Sequence, residues 1–159
     1  MTPTEKDVFL FEGIQVLYPG VDAILSGANY RSIYISPESS ILTGGECFTP
    51  NELRLMRRIV RDYRHRSADA EFTFFLWQGV RENEEKAIFP FRHLCREQID
   101  STLAYEVGML KPYLVPLLTN YRQDALFYQE AKVLLQKLQK VQPIPSDYLT
   151  QNSLYKEFI

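Results

Sequence analysis

Residues 49–66, TPNELRLMRRIVRDYRHR, hold the strongest local signal in this chain of 159 residues. Thr49 and Glu52 have the spacing of a capping box, in which the Thr hydroxyl accepts from the N3 amide and the Glu carboxylate accepts from the cap amide. Pro50 suits the first helical position, where its missing N–H would have no intrahelical partner. The stretch therefore predicts a helix from Pro50 to about His65.

This helix is predicted to be amphipathic, with arginine on its polar side. At about 100° per residue, the basic side chains fall within an arc of roughly 120°: Arg54, Arg57, Arg58, Arg61, Arg64 and His65. The apolar side chains lie opposite: Leu53, Met56, Ile59, Val60 and Tyr63, with Leu55 at the edge. Asp62 alone interrupts the basic charge, near the boundary of the arc.

Like charges on one helical face repel each other, so something must offset them. Three interpretations are open: solvent together with the chain's own carboxylates, an acidic protein partner, or the phosphates of a nucleic acid. The use of arginine instead of lysine favours bidentate contacts with a carboxylate or a phosphate. The partner- or phosphate-binding candidates are Arg54, Arg57, Arg58, Arg61 and Arg64.

Upstream of this stretch, the sequence predicts one helix and two strands. Thr2 and Pro3 favour a helix start, and an apolar face then runs to Tyr18, where Pro19-Gly20 ends the helix. Alternation over Tyr30–Ser36 predicts a strand. A turn at Pro37 leads to a second short strand, Ile41–Thr43, which Gly44-Gly45 closes, so the two strands form a first hairpin.

Downstream, Glu71–Val80 and Lys86–Phe91 flank five polar residues and predict a second hairpin. The alternative is a single amphipathic helix through Phe72, Leu76 and Val80. In the hairpin, both faces of the first strand are apolar, so one face needs a covering partner. This pattern indicates a possible apolar interface at Phe72, Phe74 and Trp77.

The C-terminal half is predicted to be helical. One helix runs from Phe91 or Arg92 to about Leu110, Lys111-Pro112 interrupts it, and a short helix follows over residues 113–119. Asn120 is expected to cap a last helix that ends near Val141. We therefore predict one α+β domain over residues 1–145, with a small antiparallel sheet of two hairpins and helices on one face. Residues 146–159 form a tail that is expected to dock.

Composition narrows the functional classes. The net charge is −2 and the hydrophobic fraction is 45%, which is typical of a globular domain and not of a general polyanion binder. The first residues lack the basic region of a signal peptide, and the longest apolar runs are too short to span a bilayer. Two cysteines suit a reducing compartment. We expect a cytoplasmic location and no membrane partner.

Residues for catalysis or metal binding are sparse. Cys47, His65, His93 and Cys95 are the soft ligands, and their spacing matches no zinc motif. The sequence has no nucleophile elbow and no phosphate-binding glycine motif. We therefore predict no catalytic site, metal or cofactor.

The sequence resembles two groups of bacterial proteins in part. Residues 48–59, FTPNELRLMRRI, resemble the opening helix of bacterial helix-turn-helix regulators. Such regulators place a recognition helix after a turn of three or four residues, whereas here an aromatic segment predicted as a strand follows. The predicted succession of helices and hairpins is similar in outline to the small acidic chaperones of bacterial type III secretion, without a shared motif.

These observations lead to a functional expectation. We expect a non-enzymatic protein-interaction protein: an adaptor, a secretion or assembly chaperone, or an immunity-type inhibitor. Its partner is another protein, or a second copy in a homodimer, offering an acidic or apolar surface. The alternative is a nucleic-acid-associated regulator that binds phosphates through the Arg-rich helix 50–66.

Overall fold

A computed structural model describes residues 4, 7–18, 20–25 and 27–159, and it confirms the α+β class with a helical C-terminal half. The α-helices are α1 (Val21–Leu25), α2 (Pro50–Arg66), α3 (Ala70–Ala87), α4 (Glu106–Thr119) and α5 (Tyr128–Gln139). The strands are β1 (Ile33–Ser36), β2 (Ile41–Thr43), β3 (Glu46–Phe48) and β4 (Glu97–Asp100). Short 3-10 helices cover Ile14–Leu17, Phe89–Leu94, Ser146–Tyr148 and Leu154–Glu157.

The chain divides into two compact units. The first comprises residues 1–34 and 81–98, and the second comprises residues 35–80 and 99–159. The main hydrophobic core lies in the second unit, where α2, α4 and α5 pack together with residues of α3 and the β2–β3 hairpin. The domain division expected at residue 145 stays a prediction.

The helix predicted at the start of the chain is wrong over the described residues 7–13. Regular structure there begins only with the 3-10 turn of Ile14–Leu17, while Thr2 and Pro3 lie outside the described residues. Val8, Leu10 and Phe11 are exposed. Since helices of this length depend on tertiary packing for their stability, an apolar pattern with nothing to pack against does not fold into one.

The first two predicted strands, within residues 30–36 and at residues 41–43, are right in position but wrong in pairing. Ile41–Thr43 forms β2, but its antiparallel partner is β3, with Ile41 opposite Phe48 and Thr43 opposite Glu46. Gly44 and Gly45 turn between them at φ 61° and 75°. A side chain at Gly44 would collide with the Lys140 carbonyl, so the turn needs glycine for space as well as for conformation.

β1 pairs with β4 instead of β2. The flanking backbone bonds run from Glu97 N to the Ser32 carbonyl and from Ser101 N to the Ser36 carbonyl, at 3.2 and 3.0 Å. From the first bond to the second, the donor and the acceptor each move four residues toward the C-terminus, as expected for two parallel strands. The first predicted hairpin is therefore absent, and the residues between β1 and β4 form the crossover connection.

α2 forms where the capping box predicts it. Thr49 Oγ1 accepts from Glu52 N at 3.3 Å, and Glu52 Oε2 accepts from Thr49 N at 2.8 Å. The helix ends at Ser67, which adopts a left-handed conformation with φ 53°. Three residues, Ser67–Asp69, then connect α2 to α3.

The second predicted hairpin, over residues 71–91, is wrong, and the alternative helix is correct. α3 covers residues 70–87, and Asp69 Oδ1 accepts from Phe72 N at 2.7 Å at its start. Ala70, Thr73 and Phe74 face the core at helical spacing, and Trp77 packs against it one turn later. Burial against the core thus determined the secondary structure of this segment, although its composition favours a strand. The layout shared with type III secretion chaperones depended on this hairpin and is not observed.

The helix predicted up to Leu110 is wrong as well, because β4 and a loop precede α4. α4 then continues through Pro112, where a break was predicted. A proline at that position leaves the carbonyl of Gly108 without its helical donor, and Ile144 N donates to this carbonyl at 2.9 Å. Asn120 does not cap the last helix, which begins at Tyr128.

The C-terminal residues 146–159 contribute to the core. Tyr155 is fully buried and Phe158 nearly so. Tyr105 and Phe158 lie beside the Tyr155 ring, with centroids 5.9 and 5.7 Å away. Within the described part of the chain, no helix combines the length and apolar composition needed to cross a bilayer.

Candidate functional site

The predicted arginine surface of α2 is largely engaged within the protein, and Arg57 is the clearest case. Its side chain is 9% exposed and its ion-pair partner, Glu106 in the first turn of α4, is 0% exposed. Arg57 Nε and Nη2 donate to Glu106 Oε2 and Oε1 at 2.7 and 3.0 Å. Arg57 Nη2 also donates to the Ser101 carbonyl at 2.8 Å. Arg57 is therefore a core residue, and its predicted place on an outward face is wrong.

Tyr155 completes this buried network from the C-terminal segment. Its hydroxyl donates to Glu106 Oε2 and accepts from Arg57 Nε at 3.1 Å. Burial and the negative charge of Glu106 raise the pKa of Tyr155 far above its usual value, so the phenol remains a donor. Burial lowers the pKa of Arg57, but the hydrogen bond to Glu106 and neighbouring charges outweigh that effect and raise it. The three side chains are thus joined by hydrogen bonds and are largely shielded from solvent.

Three further arginines surround a single carboxylate. Asp62 is buried, and the guanidinium groups of Arg58, Arg66 and Arg61 lie 3.1, 3.2 and 3.5 Å from its oxygens. One aspartate cannot neutralise three guanidiniums, so a positive charge remains at this position. Arg58 and Arg61 expose only about a quarter of their side chains, whereas Arg66 is exposed.

The two remaining candidates stack on aromatic rings. Arg54 lies over the Trp77 ring at 5.9 Å, and Arg64 lies over the Tyr113 ring at 5.4 Å. Such stacking covers apolar surface with the arginine side chain while the charge stays near water. The structure therefore does not bring the five arginines together as one open ridge. It distributes them over the core, Asp62 and two aromatic contacts.

The outer face of α3 is the opposite case, because apolar side chains there are open to solvent. At about 100° per residue, Phe72, Phe75, Leu76 and Gly79 fall within an arc of roughly 100°, opposite the buried side. Phe72 is 52% exposed, Phe75 is 60% exposed and Leu76 is 37% exposed. We call these four residues the outer face of α3. A helix that is apolar all round is normally buried all round.

The predicted apolar interface is only partly at this surface. Phe72 belongs to the outer face, whereas Phe74 is buried in the core, with the Tyr121 ring edge-on at 5.5 Å and the Phe127 ring stacked at 6.4 Å. Trp77 packs against the core beneath Arg54. The hairpin interpretation missed Phe75 and assigned Leu76 no role. The helical alternative, with residues three and four apart sharing a face, was the signal that could have found both.

α2, the three-residue connection and α3 have the order of a helix-turn-helix unit, which the sequence was not expected to form. The second helix of such a unit needs side chains that reach base edges or phosphates. The outer face of α3 offers two phenylalanines, a leucine and a glycine instead. This chemistry suits an apolar protein surface and not a DNA groove.

In the described part of the chain, the histidines and cysteines do not cluster at a second site. Among the residues that the structure describes, no group of three or more His, Cys, Asp or Glu could hold a metal ion. Burial raises the pKa of the Cys95 thiol, so thiolate formation is disfavoured there, and a hydrogen bond with Ser32 opposes this only in part. His65 and His93 are exposed, and Cys47 is an exposed thiol.

Comparison with known proteins adds no functional assignment. No protein-family model matches this sequence, and neither a curated protein nor a solved structure shows significant similarity to it. The outer face of α3 therefore has to be interpreted from its own chemistry.

Proposed function

We propose that this chain is a non-enzymatic protein-interaction protein whose outer face of α3 binds an apolar helix of a protein partner. The observation that carries the proposal is the exposure of Phe72, Phe75 and Leu76 on a helix whose other side is anchored in the core. Aromatic side chains are enriched at the buried centres of protein interfaces, and contiguous exposed apolar patches mark such sites. We also propose a cytoplasmic location, since two cysteines suit a reducing compartment.

The spacing of the outer face supports a helical partner. Positions i, i+3, i+4 and i+7 form a straight ridge along α3, and ridges of this kind pack into the grooves of another helix. Residues 72–79, FTFFLWQG, carry no charged side chain, so a partner helix with an apolar stripe would meet no unpaired charge at the centre.

The nucleic-acid alternative receives no specific support from these positions. Phosphate binding by the Arg-rich helix requires free guanidiniums, whereas Arg57 is buried and Arg58 and Arg61 contact Asp62. That alternative predicts binding that weakens log-linearly with salt. A mobility-shift assay at low salt that shows a complex, lost on replacing Arg58 and Arg61 by Glu, would reinstate it.

A capture experiment with matched surface variants tests the proposed function. The wild-type chain, Phe75→Ser/Leu76→Ser and the control Leu126→Ser are used as baits in extracts of the native source. Leu126 is an exposed apolar residue outside α3, so its replacement removes a similar side chain while every residue of the outer face is kept. A protein captured by the wild type is then purified, and its affinity for all three chains is measured by calorimetry.

We expect the affinity for the purified partner to fall at least about tenfold in the double variant, because anchor residues dominate interface energies. The affinity should be unchanged in Leu126→Ser. Equal binding by all three chains would contradict the proposed function, as would recovery of no protein other than the chain itself.

A further inference from the structure

We infer that a second copy of this chain occupies the outer face of α3, with the two α3 helices antiparallel and Phe72 of each copy packed against Gly79 of the other. This inference rests on the proposed function, namely that this face binds a helix, and it names one such helix.

The spacing of the outer face has the symmetry that a two-fold dimer requires. Phe72 and Gly79 stand at equal distances from the midpoint between Phe75 and Leu76. In a two-fold interface, a contact of residue i on one copy with residue j on the other is repeated as a contact of residue j with residue i. An axis at this midpoint therefore places Phe72 against Gly79 of the second copy, while Phe75 and Leu76 face each other.

Gly79 is the residue that favours a second copy over an arbitrary partner. Glycine inside a helix costs roughly 0.5–1 kcal/mol relative to alanine. No contact among the described residues requires it, because an added Cβ would meet no atom of theirs within 4 Å. An antiparallel second copy supplies the missing reason: the Phe72 ring of the partner fills the notch that the absent side chain leaves.

The charges of α3 are compatible with this pairing. No charged residue lies between Phe72 and Gly79, so like charges are not brought together at the axis. Glu71, at the edge of the face, is already neutralised by Arg122, whose Nε lies 2.9 Å from its Oε1. The apolar centre can therefore be buried without stranding a charge.

The size of the face sets the strength of the dimer. Three large side chains per copy cover less than the roughly 800 Å² per partner of a standard interface. We therefore expect a reversible dimer whose dissociation constant is micromolar or higher. Its dissociation constant is measured by sedimentation equilibrium from low micromolar to near-millimolar protein.

Variants at Gly79 separate association from folding. Gly79→Leu should raise the dissociation constant about tenfold or more, because an inserted side chain overpacks the contact with Phe72. It should not lower the midpoint of urea unfolding, since the position is open in the single chain and leucine is a good helix former. Leu126→Ala serves as the surface control and should leave the dissociation constant unchanged.

Cysteine cross-linking tests the antiparallel geometry. In a Cys47→Ser background, Phe72→Cys and Gly79→Cys chains are oxidised separately and as a mixture. We expect a cross-linked dimer only in the mixture, because positions 72 and 79 face each other and neither faces itself. Cross-linking by each variant alone would indicate parallel helices and overturn the inference, as would the absence of any cross-link.

Different experimental outcomes would contradict the dimer and the proposed function. A chain that stays monomeric over the whole range, but whose captured partner still depends on Phe75 and Leu76, overturns the dimer and leaves the proposed function standing. That outcome would assign the face to a helix of another protein. A dimer weakened by Gly79→Leu with no other partner captured supports the inference, and it contradicts the proposed function only as regards binding of a different protein.

Discussion

Arg57 on α2 and Glu106 on α4 form a buried, bidentate ion pair, with two guanidinium nitrogens 2.7 and 3.0 Å from the two carboxylate oxygens. Glu106 also accepts from Leu103 N at 3.1 Å, and Tyr155 bonds to both members of the pair. Every charged atom of the pair thus has a partner, which is the condition under which a buried ion pair is tolerated. The pair fixes α2, α4 and the C-terminal segment together at one point of the core.

Removing one member of this pair should destabilise the fold strongly. Arg57→Met or Glu106→Leu leaves an uncompensated buried charge, so we expect the free energy of unfolding to fall by about 3–5 kcal/mol. Urea unfolding followed by circular dichroism measures the change. The double variant should recover much of the loss, since no charge is then stranded. Arg66→Ala, which removes an exposed partner of Asp62, is the control and should cost no more than about 1 kcal/mol.

The C-terminal segment should contribute to stability through Tyr155. Tyr155→Phe keeps the ring but removes the hydroxyl that bonds to Glu106 and Arg57, so we expect a loss of about 1–3 kcal/mol. Tyr155→Ala also leaves a cavity and should cost about 3–5 kcal/mol. Tyr148→Phe provides the matched control, because Tyr148 is exposed. An unfolding midpoint for Tyr155→Ala equal to that of the wild type would show that this segment does not anchor the core.

Asp100 should make the free energy of unfolding depend on pH in the acidic range. Desolvation acts to raise the pKa of the exposed Asp100 carboxyl, but hydrogen bonds from Ser39, Thr102 and the Glu38 amide lower it well below its usual value of 3.8. The unfolded chain therefore takes up this proton at higher pH than the folded chain does. The stabilisation by Asp100 is complete above about pH 4 and is lost as the pH falls toward the folded pKa.

The comparison of wild type with Asp100→Asn checks this dependence. The variant lacks the carboxylate, so its unfolding free energy should decline less steeply between about pH 4.5 and pH 2 than that of the wild type. Equilibrium unfolding in urea at several pH values gives both curves. Parallel curves would mean that the hydrogen bonds to Asp100 do not persist in solution.

Replacing glycine by alanine should change the stability of the fold in opposite directions at two helical positions. At Gly108, an added Cβ would lie 2.8 Å from the Gln142 carbonyl oxygen and from the Ile144 side chain, so Gly108→Ala should destabilise by about 1–3 kcal/mol. At Gly79 the space is open, and Gly79→Ala should stabilise the single chain by up to about 1 kcal/mol. Thermal unfolding at low protein concentration measures both. Equal shifts for the two variants would contradict the close approach of residues 142–144 to α4.

The sequence predicted those features whose cause is local. The capping box at Thr49 and Glu52 predicted α2, since both hydrogen bonds join residues three apart. Strand β2 was found at its correct residues for a similar reason, because the Gly44-Gly45 turn marks its end. The α+β class was predicted correctly, although the two predicted hairpins are not the strand pairs that form.

Tertiary contacts decided what the sequence alone left open. Residues 71–80 favour a strand by composition, yet they form α3 because Ala70, Thr73 and Phe74 meet the core only at helical spacing. Pro112 predicted a break in α4, but the Gly108 carbonyl that it frees finds its donor at Ile144, more than thirty residues away.

In the candidate site too, some features follow from the local sequence and others from tertiary contacts. The sequence by itself determined that α2 carries five arginines within one arc, and that residues 72–79 are apolar and uncharged. Only the tertiary structure decided that Arg57 lies in the core while Phe75 lies in solvent. The physical reason is that burial depends on which distant residues pack against a helix. Glu106 and Tyr155 supply the partners that let a guanidinium leave water, whereas the described residues leave the outer face of α3 exposed.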